Sequence, residues 1–341
     1  MPVHNKVGSM SHQRNRGLLY AFCLAVGLFL LGGCASKVGG ERVMLDSADP
    51  VFVDELLANT ATPKRRIFGW LRQPEPGSSG PAPALVILHT SFGQGVHDQQ
   101  YADLFTSLGF AVLAVDSFQP RGVSTTTQEQ TLVTEFSMVA DAYAALAYLS
   151  AQPGIDKSRI GVIGFSKGGI AALYASLESV RDALTREGES FAAHVAYYPW
   201  CGLRFLTPRT TGAPILIQAG GADEVTPPYL CTELLQQFRT VNPMQQADMI
   251  VHEGARHGFD HPVLENIAWS PTGGVTPASC LIREVRPNEY IEESTGRFVH
   301  SKNLKSIIWG CSGSIGVVGG NKEAGAQALK ETVSFLQRNL L

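Results

Sequence analysis

The sequence predicts an α/β fold, a mostly parallel central sheet with helices on both faces. Short apolar runs recur as candidate buried strands, among them "ALVILH", "FAVLAVD", "RIGVIGF" and "PILIQAG". Stretches of helix length separate them. A parallel sheet requires this alternation, because each return to the same edge needs a crossover and the crossovers cover both faces. The composition agrees: 44% apolar and 17% charged residues over 341 positions suit a sizeable core.

Taken in order, the first segment stands outside the fold. Arg14 and Arg16 precede the apolar run Gly17 to Leu31. Its length and basic flank fit a signal peptide better than a spanning helix. "LGGC", Leu31 to Cys34, resembles the lipobox of bacterial lipoproteins. The resemblance implies that residues 1–33 are removed and that Cys34 carries lipid. Ala35 and Ser36 follow, without the aspartate associated with inner-membrane retention. The expected place is therefore the bacterial cell envelope, at the outer membrane and facing the periplasm. Losing Lys6, Arg14 and Arg16 takes the formal charge from −3 to −6. No basic block offers a surface for nucleic acid, and the lipid itself would be the membrane anchor.

Cys23 leaves with the signal, so Cys201, Cys231, Cys280 and Cys311 remain. They are an even set in an oxidising compartment. Sequence order suggests Cys201–Cys231 and Cys280–Cys311, with the other pairings of the four still open.

Residues 34–62 read as a tether and lead-in, and residues 63–341 as one domain. "RRIFGWLRQP" can be an early strand, and "EPGSSGPAP" is a loop by its Gly, Pro and Ser content. Then "ALVILH", helical "HDQQYADLFTSLG" and "FAVLAVD" follow. A long helix is expected from Gln128 to about Leu149, with Val133, Phe136, Ala140, Tyr143 and Ala147 on one face. After it come "RIGVIGF", a helix, "HVAYYP", "PILIQAG", a helix from about Pro227, and "DMIVHEG". The stretch 260–320 breaks the rhythm and reads as an insertion before a last amphipathic helix, about Lys322 to Asn339. Within it, "IREV", "YIEE" and "RFVH" can be short strands.

The turn in "GVIGFSKGG" carries the chemistry. A P-loop would need Lys-Ser/Thr after its second glycine, and a dinucleotide turn would need G-x-G-x-x-G. Neither spacing occurs here. What fits is G-x-S-x-G: Gly164, Phe165, Ser166, Lys167, Gly168. A serine held on a sharp strand-to-helix turn needs small residues two positions away on either side, because the chain packs closely there. A hydroxyl also needs a base, and the base an orienting acid. In the order Ser, acid, His, the acid should follow a later strand. "GGADEVTPP" supplies Asp223, with the adjacent Glu224 ranked second. "MIVHEGARHGFDH" offers His252, His257 and His261. His257, in the loop after the strand, is favoured. The three histidines lack the spacing of a zinc site, so no metal and no cofactor is expected.

These residues resemble the dienelactone hydrolase family of the α/β-hydrolase superfamily, over roughly Pro83 to Asp260 plus the last helix. The resemblance rests on "LVILHTSFG", "GFAVLAVDSF", "GVIGFSKGG", "GGADEVTP" and "GARHGF". It implies an α/β-hydrolase fold and a triad of Ser166, Asp223 and His257. The type enzymes carry cysteine where Ser166 stands and a glutamate in the oxyanion loop where Thr90 stands. The two changes together point away from dienelactone hydrolysis proper and toward a general ester hydrolase.

The implied mechanism is acyl transfer to Ser166, with backbone N–H donors from Ser91 and Lys167 for the oxyanion. A cation at a helix N-terminus is unfavourable, so the Lys167 side chain is expected in solvent. Phe92, Phe118 and Trp200 are candidates for an acyl pocket, and Arg121 for pairing with a substrate carboxylate. The insertion, starting just after His257, is expected to cover the cleft. The function expected is a lipid-anchored serine hydrolase acting on a small ester or lactone. The alternatives are peptide or other acyl hydrolysis on the same triad, or a non-catalytic envelope-binding lipoprotein that kept the fold.

Overall fold

The computed structural model describes Met1 and residues 39–58, 64–74, 80–265, 267–271 and 273–341. The expected signal segment (Met1 aside) and Cys34 lie outside the described residues. Strands β1 (Glu41–Ala48) and β2 (Lys64–Arg72) pair antiparallel, with helix α1 (Val53–Leu57) between them in sequence. There follow β3 (Ala82–Leu88), α2 (Val96–Ser107), β4 (Ala111–Asp116), α3 (Glu135–Ser150), β5 (Ile155–Phe165), α4 (Lys167–Tyr174), α5 (Glu178–Leu184) and β6 (Ala193–Tyr197). After the two-residue β7 (Leu203–Arg204) come β8 (Ile215–Gly220), α6 (Pro228–Val241) and β9 (Ala247–His252).

The main sheet has eight strands in the order β1-β2-β4-β3-β5-β6-β8-β9. It is parallel from β4 to β9, and β2 joins β4 antiparallel. Strand β3 shows why its sequence is an unbroken apolar run. Ala84, Val86 and Leu88 pack into one core cluster with α3 and α4. Leu85 and Ile87 pack into another with α2 and the last helix, α8 (Lys322–Leu340). A strand covered on both faces has no polar positions to spare. This is the α/β-hydrolase fold that the family resemblance implies.

Two boundaries differ from expectation. Residues 41–48 are not tether: β1 is the edge strand of the main sheet, so the domain begins well before residue 63. Its pattern is antiparallel, with Val43 and Leu45 buried between exposed neighbours. Only those two inward residues mark it, too few to stand out. The helix expected from Gln128 starts at Glu135, because Thr134 caps it by accepting the Ser137 N–H at 3.2 Å.

The stretch 260–320 folds against the sheet's catalytic-side loops. It carries β10 (Ala268–Trp269), β11 (Val275–Thr276), β12 (Ile282–Arg286), β13 (Glu289–Glu292), β14 (Phe298–Val299), α7 (Leu304–Cys311), β15 (Gly313–Ser314) and β16 (Val318–Gly319). Strands β14, β13 and β12 extend β7 into a small second sheet. Two disulfides form, Cys201–Cys231 and Cys280–Cys311. The second fastens α7 to the segment leading into β12.

Candidate active site

Ser166 sits between β5 and α4 with φ 52 and ψ −113, a backbone conformation that side chains rarely adopt. The glycines around it are required by space. A Cβ on Gly164 would lie 2.0 Å from the Gly168 carbonyl oxygen, and one on Gly168 would lie 2.2 Å from that of Leu88. The turn thus lifts the serine out of the sheet edge while the backbone beneath it stays in contact.

Asp223 follows β8 and His257 follows β9, neighbouring parallel strands, so both reach the same edge. The Ala222 N–H donates to the Ala255 carbonyl at 2.9 Å and ties the two loops together. Ser166 Oγ lies 2.8 Å from His257 Nε2, and His257 Nδ1 lies 2.8 Å from Asp223 Oδ2. The carboxylate and imidazole are both buried. Asp223 Oδ1 accepts the N–H groups of Val225 and Thr226, each at 2.8 Å. An acid held at both oxygens presents a fixed lone pair to Nδ1, which sets the tautomer that leaves Nε2 free to accept the serine proton.

Thr226 was not singled out in the sequence. Its Oγ1 lies 2.9 Å from Asp223 Oδ2, 3.1 Å from His257 Nδ1 and 3.0 Å from the Tyr198 carbonyl. The signal available was position: a threonine three residues after the acid, at a helix approach. Tyr198 packs its ring edge-on to His257, centroids 4.8 Å apart. Its hydroxyl donates to Asp260, which also receives Tyr101 and His97. Burial alone would raise the Asp260 pKa, but the charge and hydrogen bond of His97 and the two phenols hold it below the usual carboxylate range. Burial likewise opposes the His97 cation, and Asp260 overcomes it, so the His97 pKa stands raised.

Ser91, after β3, and Lys167, at the start of α4, border the cleft beside Ser166. Among the described residues neither backbone N–H donates to an acceptor in a turn or loop, so both are open to a ligand oxygen. The cleft encloses about 60 Å³. Phe92 stands half exposed at its mouth, its ring 6.0 Å from that of Trp269 in the insertion, and Trp200 is a buried wall. Leu264, Val275, Pro277, Ile315 and Val318 close the side that the insertion faces.

Other expectations are corrected. Phe118 is core, not pocket: it is buried with its ring 4.4 Å from that of His89. Arg121 is committed elsewhere. It forks onto both oxygens of Asp141 at 2.8 and 2.9 Å and reaches Asp49 at 2.8 Å, so it cannot meet a substrate. The Lys167 side chain is buried rather than solvated, because the carbonyls of Gln130 and Val133 accept from its ammonium. Of the remaining alternatives, Glu224 is exposed, and His252 is packed with Nε2 2.7 Å from Gln218 Oε1. His261 lines the cleft but stacks on His97 at 4.9 Å. Among the described residues no cluster of His, Cys, Asp and Glu is arranged to hold a metal.

Comparison with known proteins bears on the family and the fold. The model of the dienelactone hydrolase family matches residues 70–270. An uncharacterized protein of Mycobacterium tuberculosis is 30% identical over 185 residues, 50% of this chain and 62% of its own length. The chain thus spans under two thirds of that relative. A Bradyrhizobium protein named as a probable 2-oxo-3-(5-oxofuran-2-ylidene)propanoate lactonase is 24% identical, over 58% of this chain and 84% of its own. Among solved structures, a dienelactone hydrolase-like promiscuous phosphotriesterase from metagenomic libraries shares the fold. Its TM-score is 0.52 at 19% identity, covering 88% of this chain and 99% of that one.

Proposed function

The chain belongs to the dienelactone hydrolase family, and from that premise we propose that it hydrolyses a small carboxylic ester or lactone through Ser166, His257 and Asp223. The observation that carries this is the unbroken hydrogen-bonded chain from Ser166 Oγ through both ring nitrogens of His257 to a buried, fully bonded Asp223. Ser166 Oγ attacks the carbonyl carbon as His257 Nε2 takes its proton. Asp223 stabilises the imidazolium that forms. The oxygen's developing charge is met by the N–H groups of Ser91 and Lys167. His257 then gives its proton to the leaving alkoxide, and the acyl-enzyme forms. Water attacks next with His257 again as base, releasing the acid and restoring the serine.

A cleft of about 60 Å³, room for a few waters by the usual measure, favours a short acyl group or a small ring. The lactonase name of the Bradyrhizobium relative is consistent with the same bond class. We further propose, on "LGGC" alone, that Cys34 is lipidated and holds the enzyme in the cell envelope.

The test is hydrolysis of nitrophenyl esters from acetate to octanoate by residues 35–341 and by Ser166→Ala, with fluorophosphonate labelling mapped by mass. Short esters should be preferred, the variant should be inactive, and the label should lie on Ser166. A label elsewhere, or an active variant, sinks the reading. Labelling with palmitate in cells, lost in Cys34→Ser, tests the anchor.

A further inference from the structure

The two backbone donors beside Ser166 belong to residues whose side chains meet on one neighbour. The Ser91 hydroxyl donates to Gln130 Oε1 at 3.2 Å. The Lys167 ammonium donates to the Gln130 carbonyl at 2.5 Å and to the Val133 carbonyl at 2.8 Å. Gln130 Nε2 in turn donates to the Val275 carbonyl in the insertion at 3.3 Å. Gln130 therefore touches the loop after β3, the start of α4 and the covering insertion.

The lysine is in an unfavourable place. It is 3% exposed, at the first position of a helix, where the dipole opposes a cation. Among the described residues no carboxylate forms a salt bridge with it. Glu135 and Glu129 act on it only at a distance, and Glu129 is itself held by Lys305 of α7 and by Trp309. A methionine would fill the same space without the desolvation cost. What lysine adds is its charge and its two bonds to the segment that carries Gln130.

We propose that Lys167 and Gln130 are positioning residues that clamp the two oxyanion donors into one rigid unit. The proposal rests on the ester hydrolase reading above. Residues 130–133 lie in turns and bends before α3, so no helix or sheet ladder fixes the carbonyls of Gln130 and Val133. Lys167 Nζ fixes two of those carbonyls. That fixes where Gln130 Oε1 stands, and through it the Ser91 hydroxyl and the loop bearing the Ser91 N–H. The donors must converge on an oxygen that moves as the carbonyl becomes tetrahedral. Loosening them therefore costs the transition state more than the bound ester.

The charge gives a second readout. Burial holds the Lys167 pKa down to about 8, with Glu135 and Glu129 pulling upward. Above that pH the amine is neutral and its bonds to the carbonyls weaken. His257 stands across Ser166, and Lys305 is bound to Glu129. Stability runs the other way. The unfolded lysine holds its proton up to about its ordinary value of 10.5, so this group favours the folded state more as pH rises from 8 to 10.5. Titration of Lys167 therefore removes no stability in that window.

The test compares wild type, Gln130→Ala, Lys167→Met and the double variant with nitrophenyl acetate from pH 6.5 to 9.5. Each single variant should lose roughly ten- to a hundredfold in kcat with KM changed less than about threefold. The double variant should be little worse than the poorer single, because the two act as one unit. The wild-type kcat should fall as pH rises through about 8, and Lys167→Met should lack that fall. Gln130→Ala keeps the lysine's main-chain partner and covers the case where Lys167→Met does not fold. Wild-type kcat in Gln130→Ala, or an unchanged alkaline fall in Lys167→Met, overturns the clamp while leaving the hydrolase reading intact. Wild type that fluorophosphonate does not label at Ser166 overturns both.

Discussion

Tyr198 donates its hydroxyl to the buried Asp260 carboxylate at 2.7 Å while its ring stands edge-on to His257. The same residue has φ 38, and its carbonyl accepts from Thr226. It connects the acid loop, the histidine loop and β6 through one residue, by its carbonyl, ring and hydroxyl. Tyr198→Phe keeps the ring and removes one of three donors to Asp260. Unfolding in urea should show a loss of about 1–3 kcal/mol, with a smaller effect on kcat. Unchanged stability would mean that the phenol bond is not needed.

Thr226→Val keeps the shape and deletes the hydroxyl that touches Asp223, His257 and Tyr198. A loss of about one hydrogen bond's worth at the transition state corresponds to roughly a tenfold fall in kcat, about 1.4 kcal/mol. KM should hold. A KM change with constant kcat would place Thr226 in substrate binding instead.

Arg121→Met should unfold the protein more readily and leave KM for every ester unchanged. Asp141 is fully buried, and removing its partner leaves an unpaired charge, at about 3–5 kcal/mol. A KM effect specific to acidic esters would restore Arg121 as a substrate residue.

Stability should depend on pH through His97. Its folded pKa is raised above 6.5 by Asp260, against the opposing effect of burial. That contribution is complete below 6.5 and is lost as pH rises through the folded value. Asp260 stabilises above its ordinary 3.8 and fails only in stronger acid, because its folded pKa is lowered. Burial holds His194 and His261 down to about 4, with His97 adding to the effect on His261. They cost stability as pH falls from 6.5 toward 4. Unfolding free energies from pH 5 to 8.5 should decline at both ends, and His97→Gln should flatten the upper decline. An unaltered upper slope in that variant would rule out His97 as its source.

The parts readable from sequence are those with short-range rules. Ser166 directly follows β5, Asp223 and His257 follow β8 and β9 by short loops, and parallel strands bring these positions to one edge. The glycines at 164 and 168 mark the turn because no side chain fits there. The cysteines pair in sequence order, Cys201 with Cys231 and Cys280 with Cys311. What escapes depends on distant partners. Arg121 looks like a free loop cation until Asp49 and Asp141 are beside it. Phe118 follows its strand as Phe92 does, yet one is core and the other stands at the mouth. The helix position of Lys167 points to water, and its acceptors, the carbonyls of Gln130 and Val133, carry no mark in the sequence. Strand β1 needed its pairing with β2 to be seen.

The excursion from 260 to 320 leaves and rejoins the domain at one place. The Asn321 N–H donates to the Phe259 carbonyl at 2.7 Å, and the Gly319 N–H to the His257 carbonyl at 3.0 Å. Its two ends are thus stitched together, and the catalytic-side loops hold them whatever lies between. The segment is in effect an exchangeable cassette. A segment of another length joined after Asp260 and before Asn321 would leave β9, α8 and the Asp260 contacts in place and bring its own cleft wall. Transplanting this cassette onto another member of the fold at the same junction is a route to moving its choice of acyl group along with it.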